Sequence, residues 1–467
     1  MHYQDLTSAD AVADLVKQAC TIEGERVISV KDGKKLQEEV IYQLQFCVSV
    51  NDLPEVKQVA IFWINQIAAA LKITTGSNAE FYNEKSRGQH EFFTVPAVNS
   101  RMMTFHTVRA AVRAARSLQL PHVIFELALS ECGYTGQQKD EYAAMVKAAY
   151  ISLGLSDVTV YLQADHYQLD PKKFSADPVA EVEKIRKAIV KAIENGVYNI
   201  DIDTSKFETA NPQKSDQENQ KENARLTAEL LAFIRSYEAK HQLPCVVSVG
   251  GEVGEVGGGN TKFPQVNAYL ELLAEELKNL KMSKVKGLNK VSINVGSAHG
   301  GVLGLDGKPL NSVPLDFQAH HDVFMKASDP LNKGQHVLSV QHGASTLPEH
   351  YFPLFPAMHV AEIHLATGFQ NIVWDVLEKE DNQLYQKMKK IILEKFADKV
   401  AKYKTEALGL AKERKRVTEF VKRDLLLSPA VEAVEKALEQ EFMKIFYSLY
   451  NIFLSKSGEV QSGDRVD

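Results

Sequence analysis

Between residues 92 and 367 one pattern recurs: a short apolar run rich in β-branched residues, then an amphipathic stretch. The runs are FFTVPAVNS (92–100), HVIFELAL (122–129), VTVYLQADH (158–166), YNIDIDTS (198–205), CVVSVGGEVG (245–254), KVSINVGSAHG (290–300), VLSVQHGAS (337–345) and VAEIHLAT (360–367). Strands that alternate with helices pair in parallel, because the helix carries the chain back to the starting end. Eight such strands are enough to close a (β/α)8 barrel. A doubly wound open sheet is the competing architecture. Polar residues collect at the C-terminal ends of the runs, at Asp165, His166, Asp203, Glu252, His299, His342 and His364. A barrel directs all of those ends to one mouth, whereas an open sheet spreads them along a line. The expectation is therefore an α/β protein, a TIM barrel over 89–375.

The flanks read differently. Residues 1–88 are expected to be a helical extension, since Val56, Val59, Phe62, Trp63, Ile67 and Leu71 recur at helical spacing. TTGSNAEFYNEKSRGQH (74–90) reads as a polar connection. Residues 376–467 are expected to be a second helical extension. Its Lys-rich run (387–417) reads as a solvated helix face, and the segment 428–454 has a broader apolar face suited to the barrel or to a second subunit. The tail SKSGEVQSGDRVD reads as disordered.

Composition narrows the function classes. With 54 Lys and Arg against 60 Asp and Glu, the net charge is −6, which offers no footprint for nucleic acid or a membrane surface. No leader-like segment or membrane-length apolar stretch is visible. The four cysteines, Cys20, Cys47, Cys132 and Cys245, form no CxxC pair and read as reduced thiols of a cytoplasmic protein. His106, His320, His321 and His359 are expected at the surface or an interface.

The chemistry rests on three histidines that end strand-like runs: His166 in QADH, His299 in GSAHGG and His342 in VQHGAS. One such histidine is ordinarily a satisfied polar residue. Three on separate strands of one barrel form a set that suits zinc with an open position, provided the rings converge. Asp165, next to His166, is either an acid/base group or a carboxylate opening the loop; at a strand end both side chains can reach the mouth. GGEVGEVGGGN (250–260) has six glycines in eleven residues, which lets backbone approach a ligand, and it carries Glu252 as a metal or substrate candidate. It is neither a Rossmann nor a Walker A signature.

These segments together resemble the metal-dependent (class II) fructose- and tagatose-bisphosphate aldolases. FTVPAVNSRMMTFHTVRAAVRAA (93–115) is similar to that family's opening strand and helix, and NVGSAHGGVLGLDGKPLNSVPLDF (294–317) to its sixth-strand histidine segment. HGASTLPEHY and EIHLATGFQ resemble the seventh and eighth strands. ELALSECGYTG followed by QADH is similar to the accessory subunits of tagatose-bisphosphate aldolase. The resemblance implies that His166, His299 and His342 bind one Zn²⁺, with another divalent transition metal as a substitute. It implies that Asp165 exchanges a proton with the substrate and that Glu252 binds a second or displaced metal. Gly300, Gly343 and Ser345 then fall on phosphate-holding positions, and Thr346, where the family has glycine, is a further candidate donor to the phosphate.

The match has departures. Asn260 stands where the family has a catalytic loop carboxylate, with Glu255 nearby; His364 replaces a substrate-binding asparagine, and Ala366 a polar phosphate ligand. What the resemblance implies is a lyase of carbohydrate metabolism, glycolysis included. It would cleave or form a C–C bond in a ketose phosphate or bisphosphate, as a homo-oligomer of two or more chains without nucleic-acid or membrane partners. A sugar epimerase using retro-aldol chemistry and a non-catalytic accessory subunit are the rivals.

Overall fold

The computed structural model describes residues 3–209, 211–254, 259–297, 302–310 and 312–450. All eight runs become strands of one parallel sheet: β4 (Val95–Asn99), β5 (Ile124–Ala128), β6 (Val158–Gln168), β7 (Asn199–Asp203), β8 (Ser248–Val253), β9 (Lys290–Ile293), β10 (Ser339–Gln341) and β11 (Glu362–Leu365). Their neighbour order runs β6-β5-β4-β11-β10-β9-β8-β7, and a further β6–β7 pairing closes the ring. The fold is a (β/α)8 barrel with surrounding helices and helical extensions, as the strand–helix alternation implies.

The N-terminal segment contains more than helices. It holds an antiparallel hairpin of β1 (Cys20–Glu23) and β2 (Arg26–Val30), and a ninth sheet strand, β3 (Ile73–Gly76). β3 pairs with β6 from Val158 to Tyr161, and β7 pairs with β6 only from Gln163 onward. Asn199 joins the two: its Nδ2 donates to the Leu162 carbonyl at 2.8 Å, and its Oδ1 accepts from the Asn78 amide at 2.8 Å.

Residues 74–90 are not a polar connection. They hold the end of β3 and the helix Ala79–Ser86, whose Phe81, Tyr82 and Lys85 are buried. Phe81 and Tyr82 pack with Phe93, Val95, Ala97, Ile124, Leu338 and Ala361 in an apolar plug at the N-terminal end of the strands. Polar spacing hid this because only one face of a two-turn helix is covered.

Strand parity sends alternate residues inward. Above the plug the interior is charged. Lys290 donates to Glu362 at 2.6 Å, to Asp201 at 3.1 Å and to Gln163 at 2.7 Å, and Tyr82 donates to Glu362. Barrels of this type are usually filled by Val, Ile and Leu. A buried ammonium is tolerated here because its carboxylate and amide partners offset the desolvation cost. Gly250 makes the room: a Cβ there would lie 2.2 Å from Asp201 Oδ1.

The C-terminal helix Val431–Leu449 packs on the helix Thr104–Ser117. Glu435 anchors it, receiving His106 Nδ1 at 2.7 Å, Arg109 Nε at 3.0 Å and Arg113 Nη1 at 2.6 Å. His106 is therefore buried rather than exposed. So is His320, whose Nδ1 lies 2.9 Å from Ser339 Oγ and whose Nε2 lies 3.0 Å from Gln341 Oε1. Both sit on the inner stripe of an amphipathic helix, where a bonded imidazole is accommodated. All four cysteines are free thiols, and no described helix is long and apolar enough to cross a membrane.

Candidate active site

β6 brings Asp165 and His166 to the same face by a bulge. Its pairing with β7 shifts register between Ala164 and Tyr167, and His166 takes the left-handed conformation at φ +44°. The extra residue breaks the alternation, so two consecutive side chains reach the mouth while Tyr167 returns to the core. The strand continues to Gln168, so the irregularity lies within it rather than at its end.

His166 Nδ1 lies 3.1 Å from Asp203 Oδ2 on β7 and 3.2 Å from Glu252 Oε2 on β8. The His342 ring, just past β10, crosses the His166 ring edge-on with centroids 4.4 Å apart. His166, Glu252 and His342 each offer a ligand atom, and these atoms lie within 4.8 Å of one another. Asp165, His342 and His364 form a second such group, and Glu126, Glu362 and His364 a third.

His364 sits beneath Asp165. Its Nδ1 lies 3.3 Å from Asp165 Oδ1 and 3.1 Å from Glu126 Oε2, its Nε2 lies 2.6 Å from Glu362 Oε1, and its ring is tilted against that of His342 with centroids 4.2 Å apart. The larger side chain standing in for the family's asparagine is thus tied into the charged barrel interior.

Burial and mutual charge set the ionisation. Burial opposes charge on Asp165, yet His166, His364 and His342 outweigh it and hold the carboxyl well below its usual range. Burial and the neighbouring Asp203 push Glu252 up to about 8. His166 is held well above the usual imidazole range, because Asp165, Glu252 and Asp203 overcome its burial. Burial also pushes Glu126 up to about 7 and Asp201 up to about 6. The mouth thus gathers more buried carboxylates than imidazolium can neutralise. Two imidazoles and a carboxylate in reach of one point suit a divalent transition metal, whose charge offsets that excess.

The other sequence-predicted residues divide. Gly343, at φ +69°, and Ser345 and Thr346 line a cavity of about 970 Å³ above Asp165. Ser345 Oγ accepts the Gly368 amide at 3.0 Å, which ties the β10 loop to the helix Thr367–Glu380. Asn260 is exposed, does not line this cavity, and lies against Gly296. His299 and Gly300 lie outside the described residues, as do Glu255 and the tail 455–467.

Several lining residues escaped the sequence reading. Glu131 collects Asn99 Nδ2 and Arg101 Nε at 2.6 Å each and the Ala128 amide at 2.8 Å. Glu126 also lines the cavity, while Asp201 and Lys290 belong to the charged barrel interior; all three are charged residues in largely apolar runs. Two-residue spacing to Ala128, Asp203 and Ser292 places them on the inner face, a signal the sequence carries. The Lys-rich run is a larger correction. Lys412 and Lys415 line the cavity instead of facing solvent. Gly409 lets the segment fold tightly on itself, since a Cβ there would lie 2.7 Å from the Val400 carbonyl oxygen, and the chain then crosses back over the mouth.

The family description "Fructose-bisphosphate aldolase class-II" matches residues 85–446. The chain belongs to the class II fructose-bisphosphate aldolase family. Among solved structures it is similar to a probable tagatose 6 phosphate kinase from Sinorhizobium meliloti 1021, at 14% identity over 76% of this chain and 100% of that one, with a TM-score of 0.57. A glycerol-complexed fructuronate-tagaturonate epimerase, UxaE, from Cohnella laeviribosi aligns over 93% of this chain and 89% of its own at 13% identity, with a TM-score of 0.53. At these identities the likeness is one of fold. Comparison with curated protein sequences finds no significant match.

Proposed function

We propose that this family member is a metal-dependent enzyme of aldol chemistry, a lyase acting on a ketose phosphate or bisphosphate. The observation that carries the reading is the approach of His166, Glu252 and His342 donor atoms within 4.8 Å of one another beside Asp165. His166 and His342, joined by His299 on the family pattern, would hold Zn²⁺, with Glu252 as an alternative ligand. Zinc held there supplies a Lewis acid that polarises a substrate carbonyl.

The chain's own residues supply the proton chemistry. Asp165 is ionised at neutral pH and so accepts the proton of the substrate hydroxyl. As that O–H proton passes to the carboxylate, the adjacent C–C bond breaks. An aldehyde departs and the electron pair stays on the ketone fragment. In condensation Asp165 returns the proton. His364, 3.3 Å from Asp165, keeps the carboxylate charged and oriented. Ser345, Thr346 and Gly343 border the end of the cavity where a phosphate would lie. The reading includes a cytoplasmic homo-oligomer working in carbohydrate metabolism.

One observation favours a second reading. Lys412, Lys415 and Tyr403 of the C-terminal extension wall the cavity, so an aldehyde fragment would be retained long enough to turn over and re-add, inverting the carbinol centre. Zinc-loaded protein offered phosphorylated and free ketoses discriminates the two: aldehyde trapped in solution supports cleavage, and a new ketose epimer without free aldehyde supports epimerisation. Neither product from any ketose would refute both.

A further inference from the structure

Part of the cavity wall is cationic, and its charges come from two distant parts of the chain. Arg101 follows β4, while Lys412 and Lys415 belong to the C-terminal extension; all three line the cavity. Arg101 is held in place, with Nε 2.6 Å from Glu131 Oε1 and Nη1 3.1 Å from Thr367 Oγ1. Thr367 begins the 14-residue helix Thr367–Glu380, whose positive end points the same way. Lys415 Nζ lies 5.6 Å from the centre of the Tyr134 ring. Among the described residues no carboxylate lies within 4.0 Å of it. Burial and then Arg101 push its ammonium down to about 8. Arg101 and Lys415 repel each other in this half-buried wall; the neighbouring carboxylates Glu131 and Glu413 are bonded to Arg101 and Arg416 and offset the repulsion only in part, so a bound anion would relieve it further.

We propose that Arg101, Lys412 and Lys415 form an oxyanion-reading wall that holds the terminal phosphate or carboxylate of an open-chain sugar, making the C-terminal extension a specificity element of the site. The proposal rests on the sugar-binding reading above and deepens it. Ala366 offers no side-chain donor, and the wall supplies cationic donors next to it. Phosphate and carboxylate share the needed chemistry: negative oxygens that accept charge-assisted N–H donors. The wall meets the loop of Ser345 through Thr367 and Gly368, so a terminal oxyanion there leaves the rest of an extended sugar directed toward Asp165.

The test is calorimetric titration of the full chain with inorganic phosphate and, separately, with glycolate. Saturable binding of one anion by wild type is expected, and which of the two binds tells phosphate from carboxylate. Lys415→Met should weaken that binding about tenfold or more, Lys415→Arg should retain it, and Lys404→Gln, on the exposed part of the same segment, should match wild type. Should Lys415→Met fail to fold, Lys412→Gln reads the same wall and should weaken binding severalfold. Absent saturable binding of both anions by wild type, or binding undiminished in the folded Lys415→Met or Lys412→Gln chain, overturns the proposal. Titration requires no turnover. A chain that binds the anion but transforms no ketose therefore refutes the aldol reading and leaves the wall standing.

Discussion

Asp203 Oδ2 lies 3.1 Å from Nδ1 of His166, across the β6 bulge. A carboxylate on one ring nitrogen orients the imidazole and raises the basicity of the other, which is how metal-binding histidines are commonly supported. Asp203→Asn should therefore weaken metal retention by roughly 10–100-fold, read as metal content after dialysis against a graded chelator. Retention equal to wild type would mean that Asp203 only ends its strand, with Ser205 Oγ 2.8 Å from Oδ1 as its partner.

Purified chain should carry about one transition-metal ion, and His342→Ala should lose most of it, since His342 belongs to two of the three donor groups. Elemental analysis of both proteins decides this. A metal that binds only the native state also stabilises it, so chelation should lower the thermal midpoint of wild type more than that of the variant.

Asp165→Asn keeps the size of the side chain and removes its capacity to take a proton. Metal content should stay near wild type while turnover of the identified ketose falls on the order of 10²–10⁴-fold. Normal turnover would reassign Asp165 to a structural role beside His364.

Gly250→Ala should be costly although it adds one methyl. That methyl would meet Asp201 Oδ1 at 2.2 Å and Lys290 Cε at 3.1 Å, inside the charged layer. A loss of about 1–3 kcal/mol is expected, measured by denaturant unfolding. Wild-type stability would show that Asp201 and Lys290 yield without cost.

Glu435 links stability to pH. Burial opposes its charge, but His106, Arg109 and Arg113 overcome burial and hold the carboxyl at about 2. A carboxyl with a depressed native value stabilises the fold above its ordinary value of 4.5 and loses that contribution as pH falls toward 2. Glu435→Gln should remove roughly 3 kcal/mol at neutral pH by taking the shared carboxylate from His106, Arg109 and Arg113, of which Arg113 keeps Glu439 at 2.7 Å. It should also flatten the fall in stability between those two pH values, as read from unfolding midpoints across that range. An unchanged acid slope would place the acid lability elsewhere.

The barrel was legible because its cause is local. Eight β-branched runs separated by amphipathic stretches leave parallel strands little choice, and all eight runs reappear as β4 to β11. Asp165 and His166 stood out because a charged pair at the close of an apolar run is conspicuous. The bulge that turns both inward was not legible, since it depends on how β6 registers against β7, a partner more than thirty residues away.

Sequence alone settled the strand–helix order, the parity that marks inward residues, and the residue types able to hold a metal or move a proton. Tertiary structure decided which of them meet. It set a Lys290–Asp201–Glu362 layer where aliphatic side chains were to be expected, and drew His364 into it beneath Asp165. It buried Tyr82 under the barrel and folded Lys412 and Lys415 over the mouth. Helical and strand periodicities report which face of an element is apolar. They carry no information on where a distant segment docks, because docking depends on the shape and charge of a surface that exists only once the barrel has closed.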